Sequence, residues 1–399
     1  MVSGGGDKFS AGEQGVGYLY QPRLALLRIL DLPESVGVFI EGEDDLDFTL
    51  DKEGKILASL KHKAEGGRLT DLATDFWKSV RIWLERYRNH GCVQSDLRFF
   101  LFTTDSISTG TFLNFFANGK KVHSDIVGIF SSTMLKSTAG SVTKVKELFE
   151  DLDAEEKLDF LERIEIYDKS PRIEDLPSLI IDQHLRTVRR QFRENVFERL
   201  EGWWTNLAIQ LLTGERTSPV YGFEVSDKLA MIAEEYQADN LPITFRGKLP
   251  SGGVDPGSDD RLFVQQLRAL NIDATRIQHA IVDYYRAFEQ RSSWAREELL
   301  IAEEVEEYED RLVEEWSRYK AVVCEGLVDD CADSELTAAG REILKWAEFE
   351  TSHIRIRERV TEPYIVRGGF HILANNRPLP RVHWHPKFLD RIQEVLGNA

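Results

Sequence analysis

VGVFIEGEDDLDFTLDKEGKILASLKH, residues 36–62, is the stretch of sequence that decides the fold. Its first five residues, Val36 to Ile40, form a short apolar run that is typical of a buried strand. Asp45 to Leu50 alternates polar and apolar residues, which predicts a second strand, and Lys55 to His62 predicts a third. The Asp51-Lys52-Glu53-Gly54 segment has the composition of a turn, so we expect the second and third strands to form a hairpin.

The alternation along this hairpin separates its two faces. Asp45 and Asp47 fall on the same face as Ser59 and Lys61, and the opposite face is apolar throughout. Carboxylates bind magnesium, the metal activates a bound water, and a nearby lysine orients that water or neutralises charge on a phosphate. The polar face therefore has the groups that phosphodiester hydrolysis needs. When composition alone is considered, a solvated acidic loop is the commoner explanation.

The elements on either side of the hairpin complete an α/β pattern. Apolar residues recur at helical spacing from Tyr18 to Leu30 and from Leu69 to Tyr87, which predicts a helix before the hairpin and another after it. Pro22 is tolerable only in the first turn of its helix. Leu97 to Thr103 predicts a further strand. The order helix, three strands, helix, strand requires a sheet with helices packed on its faces.

The rest of the chain is predominantly helical in its pattern. Ile164 to Tyr167 is strand-like, and Ser170-Pro171 has the composition of a domain boundary. We therefore predict an α/β domain over residues 1–171 and a mostly helical domain over residues 172–399. Within the second domain, His184 to Leu212 predicts one helix and Arg276 to Lys320 predicts one or two long helices.

Composition and charge bound the function. The chain has 399 residues, of which 42% are hydrophobic, and its formal net charge is −18. An acidic envelope opposes DNA binding, so any grip on DNA must be local, shared with partners or assembled. The first 17 residues are polar and glycine-rich, and no apolar run reaches the roughly 20 residues of a membrane-spanning helix. We therefore expect a cytoplasmic protein with no membrane contact.

Three motifs in the first domain carry a resemblance to a known family. They are Gly17-Tyr18-Leu19-Tyr20-Gln21, the acidic segment from Ile40 to Asp47, and Ser59-Leu60-Lys61. With the order of elements around them, they resemble the core of the PD-(D/E)XK nuclease superfamily. The resemblance is closest to the effectors of bacterial anti-phage systems, in which the last motif is commonly written QxK.

The resemblance implies roles for individual residues. Lys61 matches the catalytic lysine and Asp45 the metal-binding aspartate. Glu41 matches a second acidic, metal-binding position, and Gln21 matches a glutamine that orients the site. The implied cofactor is Mg²⁺ or Mn²⁺.

One residue departs from the family pattern. Ser59 stands where a strong metal ligand is usual, which leaves the number of metal ions open and requires Asp47 or a backbone carbonyl to substitute. His62 alternates to the other face of the strand, where a packing or hydrogen-bonding role is the favoured interpretation.

The C-terminal half carries an independent resemblance. Six segments resemble the C-terminal domain of ABC-three-component proteins, which form the Lamassu-type defence systems: Phe263 to Leu267, Ala280 to Ala287, Gln290 to Trp294, Glu314 to Trp316, Arg367 to Ala374, and His383 to Pro386. His371, His383 and His385 lack further ligands at metal-site spacing, so we expect structural roles for them.

Together the two resemblances imply a metal-dependent endonuclease that acts on double-stranded DNA. Its implied partners are an SMC-like ATPase subunit, which holds it inactive, and a further defence subunit, and activation implies self-association into a homo-oligomer. Ser59 keeps open a second interpretation, in which the nuclease fold has decayed and the chain is a scaffold of the same complex. A stand-alone restriction-type nuclease is a third, which the large C-terminal domain disfavours.

Overall fold

The structure is a computed structural model that describes residues 10–50, 54–300, 302–328 and 330–390. The chain divides into two units, Met1–Ala233 and Glu234–Ala399. Apart from Gly54, the turn predicted over residues 51–54 lies outside the described residues.

The first unit contains both strands and helices. In chain order they are α1 (Ser10–Asp31), β1 (Gly37–Ile40), β2 (Leu46–Thr49), β3 (Lys55–Lys61), β4 (Arg68–Leu69), α2 (Thr74–Asn89), β5 (Leu97–Thr103), β6 (Ser106–Ile107), α3 (Ile126–Met134), α4 (Gly140–Glu150), α5 (Ala154–Glu162), β7 (Ile164–Tyr167), α6 (Leu176–His184), α7 (Arg193–Thr213), β8 (Val220–Tyr221) and α8 (Gly222–Glu235).

A six-stranded sheet organises this unit, with the strand order β7-β5-β3-β2-β1-β8. β1, β2 and β3 pair antiparallel, whereas β3, β5 and β7 pair parallel. Asp47 lies opposite Leu57 in the β2–β3 register, so it shares a face with Lys55, Ser59 and Lys61. The hairpin and the mixed sheet flanked by helices are confirmed. The helix predicted from Leu69 to Tyr87 begins only at Thr74, because Leu69 belongs to the short strand β4, which the predicted order of elements lacked.

Helix α2 supplies much of the core beside this sheet. Its buried apolar residues are Phe76, Trp77, Val80, Trp83, Leu84 and Tyr87. Trp83 stacks on Phe99 of β5 with ring centroids 5.6 Å apart. Burial of each such side chain contributes about 1.5–3 kcal/mol. Ser79 is the polar exception on this buried face, and it points to the site described below.

Helix α1 is longer than its sequence pattern predicts. It begins at Ser10, so Pro22 lies inside the helix and not in its first turn. Proline has no N–H and breaks one hydrogen bond of the helical ladder. The carbonyl that loses its donor is that of Tyr18, four residues earlier. The indole Nε1 of Trp204 in α7 donates to the Pro22 carbonyl at 2.6 Å, which joins α7 to α1 at this position.

The helix predicted from His184 to Leu212 is shorter than expected. His184 ends α6, and α7 begins only at Arg193. The Arg193 guanidinium donates to the carbonyls of Arg186 and Val188, and these hydrogen bonds stabilise a turn between the two helices. The apolar spacing continued through the turn because Val188 is buried there.

The predicted domain boundary at Ser170-Pro171 falls inside the first unit. Residues 172–233 pack with the sheet: β8 pairs with β1, and Arg23 of α1 forms an ion pair with Glu201 of α7 at 2.6 Å. The composition of Ser170-Pro171 marks a turn after β7, whereas the compact unit ends near residue 233.

The second unit is helical where the structure describes it. Its helices are α9 (Leu262–Ala269), α10 (Ala274–Arg296), α11 (Ala302–Cys324), α12 (Asp333–Phe349) and α13 (Pro363–Ala374). α10 and α11 are the two long helices predicted between Arg276 and Lys320. A Cβ at Gly368 would lie 2.2 Å from the carbonyl oxygen of Asp283, so only glycine permits α13 to cross α10 this closely. No helix among the described residues is both long and apolar enough to cross a membrane.

Candidate active site

Asp45 is the centre of the polar cluster on the β2–β3 hairpin. Its Oδ2 lies 3.4 Å from Lys61 Nζ and accepts from the backbone N–H of Leu60 at 2.6 Å. The β2–β3 ladder ends at the Leu46–Ala58 pair, so the Leu60 N–H no longer bonds to β2 and is free to hold the carboxylate. Two residues of β3, Leu60 and Lys61, and one loop carboxylate therefore meet at the end of this strand.

Gln21 connects a second carboxylate to this centre. Its Nε2 donates to Glu41 Oε1 at 2.8 Å and to Asp45 Oδ1 at 3.1 Å. Gln21 is buried in α1, and the glycine-tyrosine-x-tyrosine-glutamine motif places it beside the hairpin. The shared amide nitrogen brings one oxygen of Glu41 and one of Asp45 together.

Glu41 adopts a backbone conformation that non-glycine residues rarely use. Its φ is 56°, and its N–H donates to the Asp45 carbonyl at 3.0 Å, which closes the acidic loop after β1. A left-handed conformation costs on the order of 1 kcal/mol for such a residue and is concentrated at functional sites. The loop therefore directs Glu41 toward Gln21 at a cost in conformational free energy.

Lys61 is held by polar groups on its own strand. Its Nζ donates to Ser59 Oγ at 2.9 Å and to the Leu60 carbonyl at 3.1 Å. Ser79 of α2 donates to Ser59 Oγ at 2.8 Å, so a buried serine pair supports the ammonium group. Sequence reasoning missed Ser79, although a serine on the apolar face of α2 was a visible signal.

Asp47 is placed away from Lys61 and has a bracing role. Its carboxylate accepts from the backbone N–H groups of Glu43 at 2.7 Å and Asp44 at 3.1 Å, and it lies 3.1 Å from Lys55 Nζ. Burial raises the pKa of Asp47. We call the contacts of the Asp47 carboxylate with the Glu43 and Asp44 N–H groups the Asp47 brace. A Cβ at Gly42 would lie 2.3 Å from Asp47 Oδ2, so the Asp47 brace requires glycine at position 42. Asp47 was one of the groups expected to replace the metal ligand that Ser59 lacks. Its carboxylate is instead engaged by Glu43, Asp44 and Lys55.

Asp44 is a second residue that sequence reasoning did not single out. Its Oδ2 accepts from the indole Nε1 of Trp83 at 2.6 Å. Burial raises the pKa of Asp44 to about 6, and the neighbouring Asp45 carboxylate adds to the shift. The acidic loop is therefore fixed to α2 through Trp83 and to β3 through Asp47.

His62 lies on the other face of β3, as alternation predicted. Its ring packs against Tyr20 with centroids 4.9 Å apart, and its Nε2 accepts from the Ile173 N–H at 3.3 Å. Burial lowers the pKa of His62. It therefore packs and forms hydrogen bonds outside the cluster.

The number of carboxylates in the cluster limits how many metal ions it could hold. Glu41 and Asp45 present oxygens to one Gln21 nitrogen, and Mg²⁺ is commonly held by one or two carboxylates that leave room for water and substrate phosphate. In the part of the chain that the structure describes, no three histidine, cysteine or acidic residues form a group that could hold a metal ion. The cluster therefore offers two carboxylates as oxygen ligands, and Ser59 adds no third carboxylate.

The histidines near the C-terminus have structural surroundings. His383 Nδ1 lies 3.1 Å from the His385 carbonyl, and Trp316 packs against the His383 ring with centroids 5.1 Å apart. Burial lowers the pKa of His383 to about 4.

A comparison with protein families addresses the C-terminal resemblance. Residues 263–392 match the model described as C-terminal domain 7 of the ABC-three component (ABC-3C) systems. These residues are therefore similar to a C-terminal domain of the ABC-three-component defence systems, and the match supports membership of such a system. A multi-component system implies further subunits.

Comparisons with solved structures find only distant similarity. The Moraxella osloensis Cap4 SAVED/CARF-domain containing receptor aligns with a TM-score of 0.33 and 16% identity, over 66% of this chain and 61% of that chain. The Acinetobacter baumannii Cap4 receptor with the cyclic trinucleotide 2'3'3'-cAAA aligns with a TM-score of 0.32 and 17% identity, over 55% of this chain and 46% of that chain. The chain spans about three-fifths or less of these receptors, and similarity at this level carries no functional argument. A comparison with curated proteins finds no significant match.

Proposed function

We propose that this chain is a magnesium-dependent endonuclease for double-stranded DNA and the effector subunit of an ABC-three-component defence system. The observation that carries the proposal is the meeting of Asp45, Glu41 and Lys61 in one cluster, with Asp45 Oδ2 3.4 Å from Lys61 Nζ. The fold order and the three motifs that resemble PD-(D/E)XK nucleases support the same assignment.

Glu41 and Asp45 would hold the metal ion. Bound there, magnesium would supply Lewis-acid activation of water and charge neutralisation at a phosphate. Gln21 keeps the two carboxylates together, and the Leu60 N–H fixes the direction of Asp45. These contacts set the geometry before substrate arrives, which avoids a reorganisation cost during the reaction.

Lys61 would contact the substrate. Its ammonium donates to Ser59 Oγ, to the Leu60 carbonyl and to Asp45 Oδ2. The bond to Asp45 is the longest of the three, at 3.4 Å, so a phosphate oxygen or the attacking water would take the proton that it uses. Charge developing on the phosphate is stabilised by an ammonium group already held in place. Ser59 and Ser79 position this amine and do not touch the reacting atoms.

DNA contact would use local positive charge. Residues 41–150, which include the acidic loop, carry 15 lysine and arginine residues against 16 aspartate and glutamate residues, so this part of the chain is nearly neutral although the whole chain has a net charge of −18. Phosphate contacts need cations near the site and not over the whole surface. We further propose that an SMC-like ATPase and another defence subunit hold the effector inactive, and that self-association after release groups several sites.

A scaffold without catalysis is the second candidate. Ser59 stands where a strong ligand is usual, and the described residues show no group of three metal ligands. In this alternative the cluster persists as a structural ion-pair network of the same complex.

Plasmid cleavage separates the two candidates. The full chain is incubated with its partner subunits and with circular or linear plasmid, in Mg²⁺, Mn²⁺ or EDTA. We expect metal-dependent cutting that Lys61→Ala and Asp45→Ala each reduce by roughly a thousandfold, the scale of a lost transition-state contact. Lys63→Ala is the matched control, because Lys63 follows the same strand but pairs with Asp75 at 2.6 Å. Absence of cutting with every partner and metal present would assign the scaffold role.

A further inference from the structure

A polar cavity in the second unit is unrelated to the cluster on the β2–β3 hairpin. Its volume is about 590 Å³, and α10, the end of α12 and α13 line it. Small-molecule sites have volumes of roughly 300–1,000 Å³ and combine apolar walls with a few placed polar groups. The polar side chains of the cavity used below are Arg276, Asp283, Arg286, Glu348, Arg367 and His371.

Three guanidinium groups and two carboxylates face this cavity. Arg276 pairs with Glu348 at 2.6 Å, and Arg367 pairs with Asp283 at 2.9 Å. These two pairs cancel in charge. Arg286 has no carboxylate within ion-pair distance among the described residues and leaves one net positive charge, in a chain whose overall charge is −18.

Arg286 is arranged for binding an oxyanion. Its Nε donates to the backbone carbonyl of Lys248 at 2.8 Å, which anchors the guanidinium through one nitrogen. Its two Nη groups donate to no other residue that the structure describes. The planar fork of an arginine matches two oxygens of a phosphate or carboxylate, and anchoring reduces the entropy that binding would remove.

His371 forms a rigid part of the cavity wall. The side chain is 2% exposed and lines the cavity, and its Nδ1 has no hydrogen-bond partner. Phe263 and Trp384 fix the ring, with centroids 5.2 and 6.0 Å from it. Burial lowers the pKa of His371 to about 3, so the imidazole is neutral at physiological pH. That nitrogen is sealed from solvent, so His371 contributes a packed, neutral part of the wall and no hydrogen bond to a ligand.

Two exposed apolar side chains flank the polar wall. Leu249 and Phe349 are 63% and 68% exposed, respectively, and both line the cavity. The flat ring of Phe349 is a surface on which a base or another planar group stacks. The cavity therefore joins an oxyanion fork to an aromatic face.

We propose that this cavity binds a small organic phosphate of the nucleoside monophosphate type. The Arg286 fork receives the phosphate, and the planar group lies against Phe349. Asp283 and Glu348 accept hydrogen bonds from hydroxyl or amino groups of the ligand while they stay paired with their arginines. The site stands independently of the proposed nuclease activity, because none of its residues belongs to the first unit.

Calorimetric titration of the full chain tests the proposal with three probes: AMP, inorganic phosphate and adenosine. We expect AMP to bind, phosphate to bind more weakly and adenosine not to bind, and we expect the affinity for AMP to fall as salt rises. Arg286→Gln weakens AMP binding by about tenfold or more, as expected for loss of a bidentate charge-assisted contact.

Arg311→Gln is the matched control. Arg311 is also in the second unit and donates to a backbone carbonyl, that of Arg355 at 3.1 Å, but it does not line the cavity. This variant leaves AMP binding unchanged. Phosphate that binds as tightly as AMP would support the oxyanion fork and assign the ligand to free phosphate. Equal binding of adenosine and AMP, no binding at millimolar AMP, or equal binding by Arg286→Gln and the unsubstituted chain would overturn the proposal.

Discussion

Gly42→Ala tests whether the Asp47 brace holds the acidic loop. An added Cβ would lie 2.3 Å from Asp47 Oδ2, so the carboxylate must move by about 1 Å to reach an ordinary contact distance. Such a shift breaks its hydrogen bonds of 2.7 and 3.1 Å to the backbone N–H groups of Glu43 and Asp44. A hydrogen bond to a charged group contributes about 1.5–3 kcal/mol, so we expect Gly42→Ala to lower the free energy of unfolding by roughly 3 kcal/mol.

A double-mutant cycle with Asp47→Ala isolates this steric cause. Asp47→Ala loses the same two hydrogen bonds and the 3.1 Å contact with Lys55, so its cost is also about 3 kcal/mol. Once the carboxylate is gone, the added methyl group at position 42 meets no obstacle. The double variant is therefore expected to be no less stable than either single variant, which gives a coupling free energy on the order of 3 kcal/mol.

Urea denaturation read by hydrogen exchange over residues 38–60 measures these values for the first unit separately. Both single variants also lose plasmid cleavage, because the loop carries Glu41 and Asp45. Additive costs in the double variant would show that Gly42 is needed for a reason other than Asp47. Gly42→Ala with unchanged stability would refute the described packing of the loop.

Three further predictions follow from other contacts. Because burial raises the pKa of Asp44 to about 6, this carboxyl stabilises the fold below its unfolded pKa near 4 and loses that contribution as pH rises through about 6. Asp44→Asn therefore gains stability relative to the unsubstituted chain, on the order of 2 kcal/mol at pH 8 and little at pH 4, as thermal melts across pH would show; a pH-independent difference would contradict it. Ser79→Ala removes the 2.8 Å hydrogen bond to Ser59 and is expected to reduce cleavage about tenfold with unchanged circular dichroism, whereas full activity would show that Lys61 needs no support from α2. A chain that ends at residue 233 should unfold cooperatively in urea. A chain that ends at residue 171 loses β8 and the Arg23–Glu201 pair and should not unfold cooperatively. Equal cooperativity of the two chains would favour the domain boundary at Ser170-Pro171.

Local patterns predicted the centre of the fold because they are written in short stretches of sequence. Alternation in β2 and β3 set which residues share a face, and the Asp47–Leu57 register agrees with it. The meeting of Asp45, Ser59 and Lys61 followed from this alternation, and the motif resemblance added Gln21 and Glu41. The second-unit helices α10 and α11 were predicted for the same reason, since their apolar residues recur at helical spacing.

Contacts between distant parts of the chain were beyond these patterns. Asp47 shares a face with Lys61, yet its carboxylate turns to the N–H groups of its own loop, a choice that depends on the left-handed Glu41 and on Gly42. Ser79 and Trp83 meet the hairpin only once α2 packs on the sheet. The boundary at Ser170-Pro171 failed because its composition describes a turn, whereas the packing of residues 172–233 on α1 is a property of the tertiary structure.

The hydrogen bond from the Leu60 N–H to Asp45 has a consequence for how this protein can vary. Every amino acid except proline supplies that donor, so drift at position 60 leaves the carboxylate aimed as it is. Loss of the cluster in a descendant sequence would then be traced to the side chains that form it, Gln21, Glu41, Asp45 and Lys61, or to Gly42 and Asp47, which hold the loop that carries two of them.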